Sequence, residues 1–149
     1  MEMHVPSAVL EVRHPVPATQ PLPSGVALNF SPQLSVSYDK DSRAMWPRWA
    51  PEPRPSFNPA LLADIRAYYD YLGASGARVD CHGEEHPIAY VVLASGMPGV
   101  FNLGGDLDLF KQLIDTRDRQ GLLRYGRACI DVLYRNYVGH DLPVTTVSL

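Results

Sequence analysis

Ile88-Ala89-Tyr90-Val91-Val92-Leu93-Ala94 and, a few residues on, Val100-Phe101-Asn102-Leu103-Gly104-Gly105-Asp106-Leu107 set the architecture of this chain. The first segment is a nearly continuous apolar run, which suits a strand covered on both faces, as in a parallel sheet. The second is a glycine-rich turn. After it, Leu107, Phe110 and Ile114 form one face of a helix, with Leu109 and Leu113 beside them. Paired glycines let a backbone turn sharply and let a ligand approach the main chain. Asp106 is placed as the N-cap of the helix, where free N–H groups point outward and favour negative charge. Such a group can receive the oxygen of a polarised carbonyl and so form half of an oxyanion hole. A plain glycine turn with an ordinary cap is the alternative. The pattern is neither G-x-G-x-x-G nor a P-loop, so no nucleotide cofactor is implied.

Upstream, Asn58-Pro59 opens a helix, because Asn caps well and Pro fits the first helical position. Leu61, Leu62, Ile65, Tyr68, Tyr69 and Leu72 make its apolar stripe, and Gly73 is the expected stop. Residues 73–87 read as polar loop. Leu34-Ser35-Val36-Ser37-Tyr38 alternates as a half-buried strand. Ala44-Met45-Trp46 returns antiparallel, and Pro47 makes that second strand short or confines it to an edge. Downstream, a helix is expected from about Gly121 to Val138, burying Leu122, Tyr125, Cys129, Val132 and Leu133, and 142–149 reads as a last strand. The expected order is β-β-α-β-α-α-β, an α/β arrangement. Eleven of the 14 prolines lie in the first 59 residues. Residues 1–33 therefore read as a mobile or loosely attached tail, with a coat over a neighbouring subunit as the alternative, and 34–149 as the folded part.

The net charge of −3 argues against a polyanion-binding protein, which needs clustered Lys and Arg. No uncharged apolar run is long enough to span a bilayer. The first residues lack a basic segment followed by an apolar stretch, so no secretory signal is expected. Cys81 and Cys129 are far apart and without metal-site spacing, which fits a reduced, cytoplasmic setting.

Phe101-Asn102-Leu103-Gly104-Gly105-Asp106-Leu107 resembles the first oxyanion-hole motif of the crotonase (enoyl-CoA hydratase/isomerase) superfamily, F-x-x-G-[AG]-D-[LIV] after a core strand. It is most similar to the diffusible-signal-factor synthase branch, with its VFNLGGDL-type sequence. The resemblance covers roughly residues 34–149. It implies a partial crotonase-like (ββα-repeat) fold, truncated before the second oxyanion loop. It further implies that Gly105 gives a peptide N–H to a thioester carbonyl and that Gly104 permits the turn. Leu103 would lie where the family's backbone meets the adenine of coenzyme A, and Asn102 and Asp106 complete the expected substrate-contacting turn. The substrate would be carried on coenzyme A or acyl carrier protein, with no cofactor of the protein's own, no metal, and assembly into trimers or hexamers at full length.

The implied chemistry is dehydration of a 3-hydroxyacyl-carrier-protein and thioester hydrolysis to a 2-enoic fatty acid signal. No residue of this chain matches the family's second oxyanion donor or its acid/base glutamates. Loss of one such donor costs about 100- to 1000-fold in rate, so the chain alone is expected to be inactive. A non-catalytic binding or assembly module, or the relic of an interrupted gene, is the alternative. Other features read more plainly. Cys81-His82-Gly83-Glu84-Glu85-His86 is expected to be a solvated loop rather than a zinc site, because Gly83 and Pro87 oppose the helix that would align its histidines. Arg117, Arg119, Arg124 and Arg127 read as a solvated helix face, with contact to a phosphopantetheine arm or acidic carrier as the alternative. His140 reads as a loop residue, since G-x-S-x-G is absent.

Overall fold

The computed structural model describes residues 27–149. Its elements are β1 (Ala27–Ser31), β2 (Leu34–Asp39), β3 (Ala44–Trp49), α1 (Pro59–Ala74), β4 (Arg78–Cys81), β5 (Glu84–Pro87), β6 (Tyr90–Ser95), α2 (Leu107–Asp115), α3 (Arg119–Tyr137), a short 3-10 turn (Gly139–Asp141) and β7 (Thr145–Ser148). The main sheet runs β1-β2-β3-β6-β7, and β4 pairs only with β5. The pairs β1-β2 and β2-β3 are antiparallel, whereas β3-β6 and β6-β7 are parallel. The mixed α/β class and the parallel placement of the Tyr90–Ser95 run match expectation. Val91, Val92, Leu93 and Ala94 are all buried, as a central parallel strand requires.

Three expectations about the strands are corrected. The tail begins to pair earlier than residue 34: Ala27–Ser31 forms β1 against β2, with Leu28 opposite Val36. The rest of the expected tail, residues 1–26, lies outside the described residues. The strand with Pro47 is neither short nor at an edge. It runs to Trp49 between β2 and β6, in register Leu34↔Trp49 on one side and Met45↔Val91 on the other. Proline has no N–H to give a ladder, and the pairing with β6 lapses at residues 46 and 47 before resuming at Arg48↔Ala94. The loop 73–87 contains the hairpin β4-β5, with Asp80↔Glu85 in register. Its turn, His82-Gly83, has φ of 59° and 87°, the left-handed pair that a two-residue hairpin needs.

The core is built on alternation and on one helical stripe. Leu34, Val36 and Tyr38 of β2 face inward with Met45 and Trp49 of β3, and they meet the buried Leu61, Leu62, Ile65, Tyr68, Tyr69 and Leu72 of α1. Asn58 caps α1: its Oδ1 accepts from Leu61 N at 2.8 Å and its Nδ2 donates to Gln33 Oε1 at 2.8 Å. Helix α1 runs one residue past Gly73 and is capped at Ser75. On α3, Tyr125 and Val132 are buried and Leu122 and Cys129 partly so, while Leu133 is exposed, contrary to expectation. Ile130, Leu133, Tyr134 and Tyr137 form an apolar strip on the outside of α3 that is open among the described residues. No helix among these residues is long and apolar enough to cross a membrane.

His140 sits in the 3-10 turn with φ 59°, its ring 4.3 Å from that of Tyr69. Desolvation, and then the charge of Arg135, push its pKa down to about 4. The unfolded chain takes up a proton near pH 6.5 while the native chain does not. Stability attached to the neutral ring is therefore complete above pH 6.5 and falls as the pH drops from 6.5 to 4. The variant His140→Asn, which tolerates the left-handed backbone, is expected to show a shallower fall in melting temperature over that window. Equal slopes for the two proteins in thermal melts would contradict this.

Candidate functional site

The turn between β6 and α2 is held by hydrogen bonds at several of its peptide groups. Trp49, whose ring packs edge-on against Phe101 at 4.9 Å, donates Nε1–H to Phe101 O at 2.8 Å. Leu103 N–H donates to Pro55 O at 2.7 Å. Gly104 N–H donates to Asn102 Oδ1 at 2.6 Å, and Gly104 O accepts from Phe57 N–H at 2.8 Å. Asp106 N–H donates to the Tyr125 hydroxyl at 2.6 Å. The Asp106 carboxylate caps α2, with Oδ1 accepting from Asp108 N and Leu109 N at 3.1 Å each. Asn102 and Asp106 thus shape the turn through their side chains. Leu103 is two-thirds exposed, and no described donor reaches its carbonyl.

Among the amides of the turn without a described acceptor is that of Gly105. Phe57 and Gly105 form an isolated parallel bridge, in which Gly104 O and Asp106 N–H both turn toward the Phe57 strand. Alternate peptide groups of an extended segment point to opposite edges. The Gly105 N–H therefore points away from Phe57, outside the helix that starts at Leu107, and no described group accepts it. Gly104 has φ 87°, a conformation that a side chain makes costly. Gly105 is needed for a different reason. A Cβ there would lie 3.0 Å from Phe110 Cε2 and 3.4 Å from the Tyr125 hydroxyl.

Tyr125 is the residue that sequence reading undervalued. It was expected as core packing, and it is buried. Its hydroxyl also donates to Phe57 O at 2.6 Å while accepting from Asp106 N–H. Burial, the largest influence, pushes its pKa up to about 12, so it is a neutral donor and acceptor at any working pH. The available signal was a phenol on the inward face of a helix, since a buried tyrosine hydroxyl needs a partner.

The remaining candidates are not brought to this turn. On the β4-β5 hairpin, Glu84 lies 3.7 Å from Lys40 and Glu85 lies 3.0 Å from Arg78, each an exposed ion pair. No group of three His, Cys, Asp or Glu gathers as metal ligands among the described residues. Arg117, Arg119, Arg124 and Arg127 are exposed. Tyr68 and Tyr69 of the α1 stripe bury their hydroxyls without a described partner. An apolar groove of about 380 Å³ lies between α1 and the α2-α3 pair, lined by Leu62, Leu109, Leu113, Tyr125 and Ala128 and by no residue of the turn itself.

The two glycines differ in how substitution should fail. Gly104→Ala is expected to cost about 1–2 kcal/mol through backbone strain, and Gly105→Ala about 1–3 kcal/mol through overpacking. Adding Phe110→Leu should recover part of the second loss and none of the first, as read by urea unfolding. Equal recovery in both double variants would refute the assignment.

No known family's sequence pattern matches this chain, and no curated protein sequence does. Solved structures do. An enoyl-CoA hydratase from Geobacillus kaustophilus HTA426 matches with a TM-score of 0.63 at 14% identity, covering 83% of this chain and 39% of that one. Two structures of DspI from Pseudomonas aeruginosa match with TM-scores of 0.53 and 0.52 at 18% and 17% identity. They cover 81% and 79% of this chain, and 39% and 41% of theirs. The chain thus spans about two-fifths of the length of the structures it matches. A parallel β3-β6-β7 core, an α helix on its face and the strand-turn-helix around Gly105 accordingly belong to a partial crotonase-like fold, the α/β fold of enoyl-CoA hydratase.

Proposed function

We propose that this chain binds acyl thioesters through the turn at Gly105, whose free N–H receives the thioester carbonyl oxygen. The observations that carry this reading are the unclaimed Gly105 amide, flanked by the bonded amides of Gly104 and Asp106, and a fold shared with an enoyl-CoA hydratase. A preorganised N–H costs no reorganisation when negative charge develops on the oxygen. Leu103, Asn102 and Asp106 then bound the substrate's approach, Leu103 by its exposed position and the other two by fixing the backbone. The apolar groove that shares Tyr125 with the turn suits an acyl chain. The carrier is coenzyme A or acyl carrier protein, and the exposed arginines of α3 offer contacts for its phosphate.

The finer reaction we infer, on the motif's resemblance to the signal-synthase branch, is of the hydratase type. A 3-hydroxyacyl thioester loses a Cα proton and its β-hydroxyl as water. The 2-enoyl thioester is then hydrolysed to a free 2-enoic acid, a fatty acid signal of the quorum-sensing kind. Amide and groove alone supply binding and partial oxyanion stabilisation, so this chain by itself turns over little. The cytoplasm, where Cys81 and Cys129 persist as the free thiols they are here, is its proposed compartment. A second reading, an assembly module, draws support from the open apolar strip Ile130, Leu133, Tyr134 and Tyr137. Self-association through it gives the trimer or hexamer that the resemblance implies.

Titration of the ¹⁵N-labelled chain with butyryl-pantetheine, a CoA-free acyl thioester, tests the binding. The Gly105 amide is expected to move downfield and saturate, with product formation near background. Saturating thioester that leaves the Gly105 resonance unmoved would overturn the reading. Light scattering of the same sample decides the second one, since a monomer at high concentration excludes self-association.

A further inference from the structure

We infer that Tyr125 is the positioning residue for the Gly105 amide: its hydroxyl, bridging Phe57 O and Asp106 N–H, holds the turn in the orientation that leaves the Gly105 N–H free. The bridge between Phe57 and Gly105 is isolated, with no continuing ladder on either side. A regular parallel pairing would close with Asp106 N–H bonded to Phe57 O. Here the phenol is inserted at that closure, accepting from one at 2.6 Å and donating to the other at 2.6 Å. The remaining direct bond, Phe57 N–H to Gly104 O at 2.8 Å, lies on the other side of Gly105. The residue whose amide must stay aimed is thus fixed on one flank by the backbone and on the other by a single side chain.

That side chain is itself well held. Tyr125 is 5% exposed, its ring packs edge-on against Phe110 at 5.1 Å, and it belongs to the core cluster shared with α1. The phenol also stands 3.4 Å from where a Cβ at position 105 would be, so it packs against the glycine as well as bonding to its neighbour. Without the hydroxyl, Asp106 N–H and Phe57 O both lose a partner, and a buried polar group left unpaired is costly. The segment relieves this by rotating peptide groups, and the Gly105 N–H turns with them. Tyr125 touches no reacting atom in this scheme. It acts through the geometry of the turn.

The inference rests on the thioester reading for its purpose, but its geometry can be measured without ligand. In the full ¹⁵N-labelled chain, the residual dipolar coupling of the Gly105 N–H reports the direction of that bond. Tyr125→Phe is expected to change this coupling and to speed hydrogen exchange at Asp106, while the couplings of β6 and α1 stay unchanged. Butyryl-pantetheine affinity should fall about tenfold, and replacing Tyr125 by 3,5-difluorotyrosine, which keeps the hydroxyl, should restore it. A folded Tyr125→Phe protein with unaltered Gly105 coupling and Asp106 exchange overturns the inference. Failure of the wild-type chain to bind the thioester sinks the functional reading alone, because coupling and exchange still judge Tyr125. Should Tyr125→Phe not fold, a fluorotyrosine series of graded acidity takes its place. A Gly105 coupling that tracks the acidity supports the role, and an unresponsive one rejects it.

Discussion

The pairing of Phe57 with Gly105, closed through the Tyr125 hydroxyl, is the constraint on which the candidate site depends. It joins three parts of the chain that are remote in sequence: the segment that leads into α1, the turn after β6, and the middle of α3. Backbone polar groups in a partly buried turn must find partners. Here Gly104 O and Asp106 N–H find theirs on one side, and alternation leaves the Gly105 N–H on the other. A free donor between two satisfied neighbours is what a carbonyl oxygen can exploit, because nothing has to be broken to receive it.

The rest of the fold works as a mount for that turn. Trp49 ends β3 in the core, packs edge-on against both Phe57 and Phe101, and hydrogen-bonds the carbonyl of Phe101. The chain on either side of the bridge is therefore gripped by one indole. Helix α1 lies against β2 on its Leu61–Leu72 stripe and meets α3, where Arg135 donates to Asp70 Oδ1 at 2.8 Å. Tyr125 is thereby set at a fixed distance from Phe57. Helix α2 buries none of its side chains fully, so the turn is positioned by what precedes and faces it more than by the helix it starts.

Legibility followed the range of the interactions involved. The α1 stripe emerged whole, because Leu61, Leu62, Ile65, Tyr68, Tyr69 and Leu72 repeat at helical spacing and Asn58-Pro59 marks the start. The Val91–Ala94 strand emerged because four adjacent apolar residues need cover on both faces. The cap at Asp106 and the paired-glycine turn before it were local and readable, whereas φ 87° at Gly104 came from the structure. The hairpin at 78–87 was passed over because its strands are short and charged, and only Val79 turns a large apolar side chain fully inward. Pro47 misled because the rule that keeps proline at edges assumes an uninterrupted ladder, whereas here the ladder to β6 simply skips it. Strand β1 was missed because its pairing depends on β2, and the proline-rich composition around it spoke for irregular chain.

By itself the sequence determined the α/β class, the strand-turn-helix unit, the stripe that α1 buries and the glycine-rich turn capped by Asp106. All of these follow from periodicity, caps and φ restrictions within a few residues of one another. Only the tertiary structure decided that β3 is central, that Ala27–Ser31 joins the sheet, and that a tyrosine 68 residues beyond Phe57 completes the bridge beside Gly105. Those outcomes rest on hydrogen bonds between distant peptide groups, and no local pattern in the chain encodes which distant partner a peptide group will find.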